Sequence, residues 1–264
     1  MILFLIVTAL AAEIPDAPFP PRPADAVTGT AFAARVATLS DRDRYAATRD
    51  ELLAGNIPSF LRDLVPVPVE GGVTVFVTPD YLSVGTDSDF LPVPLDFVDA
   101  AEVAQALGFA LPTRRIVDAI YAAATLHLAP APLPAGPEMR SVPYILESRA
   151  RIEAERGARP PGDLVAGTKK DLVLTPQLFA MPDREAIYGW HQLNGRPIQP
   201  LSLVHGVHYA DYSHGIRLIA GTVLVEGQAR NYFEVLADPL LAHLLSDEGP
   251  IPMASRLLEA AAGF

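Results

Sequence analysis

Reactive side chains are concentrated in one stretch of the chain, residues 186–218. This stretch holds four of the six histidines, three of the eight tyrosines and the single tryptophan. Asp211, Ser213 and Arg217 lie among them. Side chains of these types can supply general bases, nucleophiles, metal ligands and aromatic contacts for a substrate. The sequence therefore predicts a functional site in residues 186–218, with the rest of the chain as its scaffold.

Part of this stretch has the spacing of a metal site. His205, His208, Asp211 and His214 form the pattern H-x2-H-x2-D-x2-H. Neutral imidazoles and a carboxylate are good zinc ligands, and an open coordination position would activate a water molecule. Residues three apart share a face only in a helix, whereas the neighbouring glycines indicate turns. Zinc-assisted hydrolysis is one hypothesis, and the sequence leaves the identity of any cofactor open.

A second hypothesis is catalysis by Ser213 without a metal. Adjacent side chains usually diverge, so His214 is poorly placed to act as a base for Ser213. His191, His205 or His208 would have to approach the hydroxyl through the fold. The sequence has no GxSxG motif. On this hypothesis the catalytic residues are drawn from His191, His205, Ser213 and His214.

Other residues of the stretch, and one lysine before it, are candidates for substrate contacts. Aromatic rings stack on sugar faces, and cationic side chains pair with anionic groups. The predicted substrate-binding residues are Tyr188, Trp190, Tyr209, Tyr212, Arg217 and Lys169. The favoured interpretation is a hydrolase that acts on a cell-envelope or extracellular polymer, or on a smaller substrate. The alternative is a non-catalytic envelope or glycan-binding protein, in which the same residues form a hydrogen-bonded core or a sugar-binding surface.

Residues 205–218 begin with His-Gly and end with Ser-His-Gly-Ile-Arg-Leu. They resemble the signature of the L,D-transpeptidases of the YkuD type, which reads His-Gly and then Ser-His-Gly-Cys-x-Arg. Members of that family are exported enzymes that crosslink peptidoglycan stem peptides through the cysteine. This chain lacks the cysteine after Gly215, so the resemblance implies no thiolate chemistry. It implies a cysteine-less relative with His205 and His214 beside an anion pocket and Arg217 near a carboxylate.

A broader resemblance covers most of the chain. The segments GNIPSFLR, TPDYLSVGTDSDF, LPTRRIVDAIY, TKKDLVLTP and YADYSHGIRL are similar to those of a group of uncharacterised exported bacterial proteins. This resemblance implies export but no particular activity.

Composition excludes several classes of function. The net charge of −11 argues against a nucleic-acid partner, because phosphate binding needs a basic surface. The chain has no cysteine, which excludes disulfides, thiolate metal sites and a cysteine nucleophile. Half of the 264 residues are apolar, enough for a substantial core. The oligomeric state cannot be predicted from these features.

The amino terminus has the pattern of an export signal. Residues 1–12 read MILFLIVTALAA, an apolar run that ends in an Ala-x-Ala cleavage motif. Residues 13–25 are rich in proline and predict a linker. We expect the mature protein to be periplasmic or extracellular, without a membrane span after cleavage, and to form a single domain over residues 26–264.

The order of the predicted elements favours an α+β fold, with a small, mostly antiparallel sheet flanked by helices. Runs rich in β-branched residues predict strands, and apolar residues at helical spacing between capping residues predict helices. The predicted strands cover residues 73–77, 81–84, 90–93, 172–174, 186–190 and 216–225. The predicted helices cover residues 31–54, 99–107, 113–126, 144–157, 233–246 and 256–262.

Export is expected to remove the chain through about Ala11 or Ala12, because signal peptidase cleaves after small residues that follow an apolar core. Mass spectrometry of the secreted protein checks this. A secreted form that retains residues 1–10 would contradict the prediction.

Overall fold

The computed structural model of the protein describes residues 14–261, with side chains up to residue 259. The predicted signal peptide lies outside these residues. The α-helices are α1 (Gly29–Val36), α2 (Asp41–Leu53), α3 (Phe97–Ala106), α4 (Arg114–Ala123), α5 (Val142–Arg156), α6 (Tyr232–Ala237) and α7 (Ala254–Ala261). Single 3₁₀ turns lie at Ser59–Arg62, Pro137–Arg140, Pro176–Phe179 and Ala242–Leu244.

The strands are short and form two main sheets. They are β1 (Val65–Val69), β2 (Val73–Val77), β3 (Ser83–Thr86), β4 (Asp89–Pro92), β5 (Phe109–Ala110), β6 (Leu126–His127), β7 (Val165–Ala166), β8 (Lys170–Leu172), β9 (Ile187–His191), β10 (Pro197–Ser202), β11 (His214–Gly215), β12 (Ile219–Ala220), β13 (Thr222–Val225) and β14 (Gln228–Asn231). The segregation of helices and mostly antiparallel strands confirms the α+β prediction.

The larger sheet is entirely antiparallel. Its order is β14-β13-β2-β12-β5, and β1 pairs with the Val73–Val77 strand β2 along its whole length. The strand β2 was predicted with these bounds, because its run of β-branched and aromatic residues is typical of a buried strand. Val75 at its centre and Val77 at its end are completely buried.

The smaller sheet has the order β10-β9-β8-β11 and carries most of the candidate site. β8 pairs antiparallel with β9 but parallel with β11, with Lys170 opposite His214 and Asp171 opposite Gly215. Two further pairs are separate: the hairpin β3–β4, close to the strands predicted over residues 81–84 and 90–93, and the parallel pair β6–β7. The single sheet that was expected is therefore divided into two.

Several helices begin at a residue whose side-chain oxygen accepts a backbone N–H of the first turn. Each such cap contributes about 1 kcal/mol to stability. These residues are Thr28, Ser40, Asp96, Thr113 and Ser141. The helix predicted over residues 99–107 begins two residues earlier, at Phe97, and Asp99 of its first turn donates its N–H to the carboxylate of Asp96. Ser40 also divides the predicted helix 31–54 into α1 and α2.

Two other predicted elements are interrupted. The helix predicted over residues 233–246 ends at Ala237, and Asp238 is extended at ψ 120°. Asp238 is followed by Pro239, and a proline disfavours the helical conformation of the residue before it. The strand predicted over residues 216–225 breaks at Gly221, where a Cβ would lie 3.1 Å from the carbonyl oxygen of Gly108.

The proline-rich segment is not a free linker where the structure describes it. Phe19 is buried, and its ring lies 5.0 Å from that of Phe109. The guanidinium of Arg22 donates to Asn56 Oδ1 and to the carbonyl oxygen of Gly85. The segment forms no helix or strand, but its side chains belong to the packed domain.

One continuous apolar core joins the two sheets and the helices around them. It includes Val75 of β2, Ala101 of α3, Ile116 of α4 and Ile187 of β9. Such a shared core is what defines one domain. Among the described helices, none is long and apolar enough to cross a membrane.

Gly215→Ala is expected to destabilise the fold by roughly 1–3 kcal/mol, the usual cost of overpacking. The added methyl group would lie 2.5 Å from Tyr81 Cδ1 and 2.7 Å from Lys169 Cβ. Urea denaturation measures the loss. The control is Gly206→Ala, whose methyl group would lie 3.8 Å from the nearest atom, the carbonyl oxygen of Asp183. The control should change stability by less than about 0.5 kcal/mol. Equal losses of stability in the two variants would show that β11 is not tightly packed at Gly215.

Candidate functional site

The parallel pairing of β8 with β11 brings the lysine pair before residue 171 next to the Asp211–His214 turn. His214 begins β11, directly after a turn that contains Asp211 and Ser213. Its register partner Lys170 begins β8, and Trp190 follows in the next strand, β9. The site therefore lies on the smaller sheet, next to the turn that precedes β11.

Asp211 is the centre of the turn. Its Oδ1 accepts hydrogen bonds from the backbone N–H of Ser213 at 2.8 Å and from the hydroxyl of Ser213 at 2.5 Å, and its Oδ2 accepts from the hydroxyl of Tyr209 at 3.0 Å. Burial alone would raise the pKa of the Asp211 carboxyl. His214, Lys170 and Ser213 outweigh burial and hold that pKa well below its usual range. Asp211 is a buried, ionised carboxylate.

His214 lies between two carboxylates and has no exposed side-chain surface. Its Nε2 is 2.8 Å from Glu185 Oε1, and its Nδ1 is 3.3 Å from Asp211 Oδ1. Burial opposes protonation, but the two carboxylates prevail and raise the pKa of His214 to about 9. The two carboxylates thus favour the protonated imidazole, although the backbone N–H of Asp211 also lies 3.1 Å from Nδ1.

Glu185 is a site residue that the sequence analysis missed. Its side chain is completely buried, and burial raises the pKa of its carboxyl. Its backbone N–H donates to the carbonyl oxygen of His205, which ties the segment before β9 to the start of the site turn. The one available signal was a glutamate placed directly before an apolar strand.

His205 is the imidazole of this cluster that reaches solvent. It is half-buried and stacks on Tyr209, with the ring centroids 4.1 Å apart and an interplanar angle of 11°. Burial and the positive charges of His214 and Lys170 lower the pKa of His205 below its ordinary value. Within the described residues, no side chain or backbone group forms a hydrogen bond with its ring nitrogens. His205 is thus a neutral imidazole with a free nitrogen.

Lys170 and Trp190 form the opposite side of the site. The ammonium of Lys170 lies 5.2 Å from the centroid of the indole ring, an arrangement that stabilises the cation electrostatically. Trp190 has a left-handed backbone at φ +55°, which is strained for a residue with a side chain and is typical of functional sites. Its indole N–H has no partner among the described residues.

Lys169, the predicted substrate-binding lysine, points away from this site. Its ammonium donates to the hydroxyl of Ser148 at 2.9 Å and to the carbonyl oxygen of Tyr212 at 2.5 Å. Burial lowers its pKa to about 8, although Asp211 and Asp80 oppose this shift. Lys169 links α5 to the turn after Ala210, so its role is structural.

Two other predicted residues lie elsewhere in the fold. The Nε2 of His191 is 2.9 Å from Asp118 Oδ1, which also accepts a hydrogen bond from the hydroxyl of Tyr188. Asp118 belongs to α4 and lines a separate surface groove of about 340 Å³. The structure therefore separates His191 and Tyr188 from the cluster around Asp211.

Arg217 and Tyr212 are buried structural residues. The guanidinium of Arg217 donates to the carbonyl oxygens of Thr78 and Val165 and stacks on the ring of Tyr81, 4.4 Å from its centroid. Arg217 therefore does not pair with Asp211. The hydroxyl of Tyr212 accepts a hydrogen bond from the backbone N–H of Leu133.

The four residues with metal-ligand spacing are not assembled as a ligand set. His208 is exposed, and its Nδ1 lies 3.2 Å from Asp96 Oδ2, at the start of α3. Across residues 14–261, no group of three or more His, Asp or Glu side chains is placed to hold a metal ion. The turn places His208 away from the cluster. The possible metal ligands that remain around His214 form hydrogen bonds and ion pairs with one another.

The hydroxyl of Ser213 is poorly suited to be a nucleophile. It is buried and donates its proton to Asp211. The only imidazole in contact with this carboxylate, His214, is itself held between Asp211 and Glu185. The groups of the cluster that remain available for chemistry are His205, Lys170 and the partly exposed ring of Tyr209.

Comparison of the chain with protein-family models, with curated proteins and with solved structures finds no match. The chemistry of the site therefore has to be inferred from its geometry.

Glu185→Gln is expected to lower the pKa of His214 from about 9 towards its ordinary value, because the variant removes one of two negative charges beside the ring. In the native protein the raised pKa contributes stability that is fully present below pH 6.5 and is lost as the pH rises through about 9. In the variant this loss should occur at lower pH. NMR titration of the His214 ring and urea unfolding at several pH values measure both effects.

The control for this experiment is Glu70→Gln, since the side chain of Glu70 is 94% exposed. Lys169 titrates in the same range with the opposite effect on stability, because its pKa is lowered. It is present in all three proteins, so the comparison removes its contribution. An unchanged pKa of His214 in Glu185→Gln would refute the assigned charge network.

Proposed function

We propose that the protein is an exported hydrolase that acts on a cell-envelope or extracellular polymer of the peptidoglycan type, with His205 as the general base that activates water. The observation that carries this proposal is the state of His205. It is a solvent-reaching imidazole with a lowered pKa and no hydrogen-bond partner among the described residues.

A general base must be unprotonated at the working pH and within reach of the proton that it removes. Burial, with a smaller contribution from the nearby His214 and Lys170, lowers the pKa of His205 and favours the neutral ring. Stacking on Tyr209 fixes the plane of the ring and leaves its nitrogens at the edge of the stack, where a water molecule can approach. The nucleophile is assigned to water because Ser213 is buried and the chain has no cysteine.

The buried part of the cluster supports this role by holding the turn rigid. Glu185, His214 and Asp211 are joined by short contacts that leave no exposed charge. The hydroxyl of Tyr209 is bonded to Asp211, so the ring on which His205 stacks is also fixed. A base held in this way loses little freedom when substrate binds.

Two lines of argument support a polymeric envelope substrate. The amino-terminal sequence is typical of an export signal, which places the substrate outside the cytoplasm. Tyr209 offers partly exposed aromatic surface beside the base, and such rings bind sugar faces and peptide groups. Trp190, which the sequence suggested for this role, is buried in the core. The L,D-transpeptidase resemblance of residues 205–218 is consistent with a peptidoglycan substrate but carries no catalytic residue with it.

The second candidate is a non-catalytic glycan-binding protein. It is favoured by one observation, the engagement of the Ser213 hydroxyl by Asp211, which leaves the cluster without a side-chain nucleophile. On this candidate, His205 and Tyr209 would form a binding surface only.

His205→Gln is expected to reduce hydrolysis of purified peptidoglycan by at least about 100-fold, the usual contribution of a general base, with the melting temperature unchanged. Mass spectrometry of the soluble fragments measures the rate. In the native enzyme, kcat/KM should fall on the acid side with a midpoint below pH 6.5, because the pKa of His205 is lowered from that value.

The matched control is His243→Gln, which removes an exposed histidine on a distant turn and should leave the rate unchanged. Full activity of His205→Gln would exclude His205 as the base. Absence of hydrolysis by the native protein, together with its co-sedimentation with the polymer, would establish the glycan-binding alternative instead.

A further inference from the structure

We propose that the surface cleft between the first turns of α2 and α5 is an anion-binding subsite, which takes a singly charged oxyanion of the substrate, a carboxylate or a phosphodiester. This inference rests on the proposed function only in joining the subsite to the substrate of His205. The cleft has a volume of about 250 Å³, which is ample for a group of this size.

The first observation is the charge of the residues that line the cleft. Its polar side chains are those of Asp41, Arg44, Arg140 and Ser141. Asp41 Oδ1 lies 2.6 Å from Nη2 of Arg44, and Asp41 Oδ2 lies 2.7 Å from Nη1 of Arg140. Two guanidinium groups therefore share one carboxylate, and one positive charge of the lining has no counter-charge. The neighbouring carboxylates of Asp43 and Glu138 do not line the cleft.

The second observation is an arginine that is incompletely bonded. Arg44 is only 6% exposed and lines the cleft. Its Nη2 donates to Asp41 and to the carbonyl oxygen of Arg140, whereas its buried Nε has no partner among the described residues. Unused donors on a buried cation are costly. An anion beside this guanidinium would offset part of that cost through its charge.

The third observation is that two helices begin at the cleft. α2 begins at Asp41 and α5 at Val142, and residues of both first turns line the cleft. The amino terminus of a helix carries a partial positive charge and backbone N–H groups that are not used within the helix. Both helix ends therefore add to the positive potential of the arginines, and this combination favours an anion.

The balance of charge selects the class of anion. A single negative charge neutralises the lining, whereas a phosphate dianion would leave excess negative charge beside Asp41. A guanidinium matches the two oxygens of a carboxylate or a phosphodiester in a bidentate contact. Leu39, an exposed apolar side chain, forms one wall of the cleft and can pack against the carbon chain next to such a group.

Arg140 connects the cleft to the proposed active site. Its guanidinium carbon lies 5.9 Å from the centroid of the Tyr209 ring, and the same ring stacks on His205. Tyr209 therefore contacts both the base and the cleft arginine. A polymer whose reacting bond lies at His205 can reach the cleft with a neighbouring unit, and that unit would carry the anionic group.

NMR titration of the isotope-labelled native protein tests the subsite. Acetate and dimethyl phosphate are the two monoanionic probes, and acetamide and trimethyl phosphate are their neutral counterparts. We expect at least one anion to bind roughly ten or more times more tightly than its neutral counterpart. Its shift changes should centre on the backbone amides of Asp41, Arg42 and Val142 and on the Arg140 Nε–H. The anion that binds more tightly identifies the group as a carboxylate or a phosphodiester.

Two variants change the charge of the cleft in opposite directions. Arg140→Gln removes the unbalanced positive charge and should weaken binding of the anion by about ten-fold or more, because charge-assisted hydrogen bonds are lost. Asp41→Asn removes the competing carboxylate and should tighten binding by about five-fold. A merely structural role of these ion pairs would not produce effects of opposite sign.

The matched control is Arg151→Gln, which should bind the anion as the native protein does. The Arg151 side chain is 45% exposed and lies 2.8 Å from Glu147, and the Arg140 side chain is 47% exposed and lies 2.7 Å from Asp41. Arg151 does not line the cleft. The bound anion should also compete with peptidoglycan, so that it slows hydrolysis by the native protein more than hydrolysis by Arg140→Gln.

Equal binding of the anions and their neutral counterparts, no binding of either anion, or shift changes confined to other regions would overturn the proposal. The same affinity in the native protein, Arg140→Gln and Asp41→Asn would also overturn it, and absence of competition would overturn the assignment to the substrate. If Arg140→Gln does not fold, the native protein and Asp41→Asn still decide the question. Anion binding in the cleft without turnover of peptidoglycan would retain the subsite and reject the hydrolase, and turnover without anion binding would do the reverse.

Discussion

The arrangement of the site depends on one buried ionic contact, that of the His214 imidazole with Glu185 and Asp211. Two carboxylates and one imidazolium are removed from water here, and removing one partner of such a group leaves a buried charge uncompensated, at a typical cost of about 3–5 kcal/mol. The contact joins the segment before β9 to the turn before β11. It therefore holds the two segments that carry the exposed chemistry, and its positive member also depresses the pKa of His205.

Much of the fold follows from local sequence, because local signals decide local elements. The strand Val73–Val77 and the hairpin β3–β4 were predicted from runs of β-branched and aromatic residues around a turn. The α+β class followed from the order of the elements. One error lies where a neighbouring residue prevails, because Pro239 ends α6 through the residue before it. Another is the strand predicted over residues 216–225, which is interrupted at Gly221.

The candidate site was also predicted only in part, because local sequence shows which reactive residues lie close together along the chain but not which distant residues the fold adds. The concentration of reactive residues in 186–218 pointed to Asp211, Ser213 and His214, which the structure does bring together. Spacing alone could not place His208 or His191, because equal intervals imply a shared face only in a helix and these residues lie in a turn and a strand. Glu185 could not be found from spacing either. It meets His214 through a side-chain hydrogen bond between residues 29 positions apart.

The two adjacent lysines show how topology, rather than residue type, decides which side chain remains available for chemistry. Successive side chains of an extended chain point to opposite faces, so one ammonium faces α5 and the other faces Trp190. The first finds Ser148 and a backbone carbonyl, which fully explain its burial. The second finds an aromatic face and a carboxylate whose oxygens are already bonded. Both residues are buried to a similar extent, so the two lysines differ in their partners rather than in their exposure.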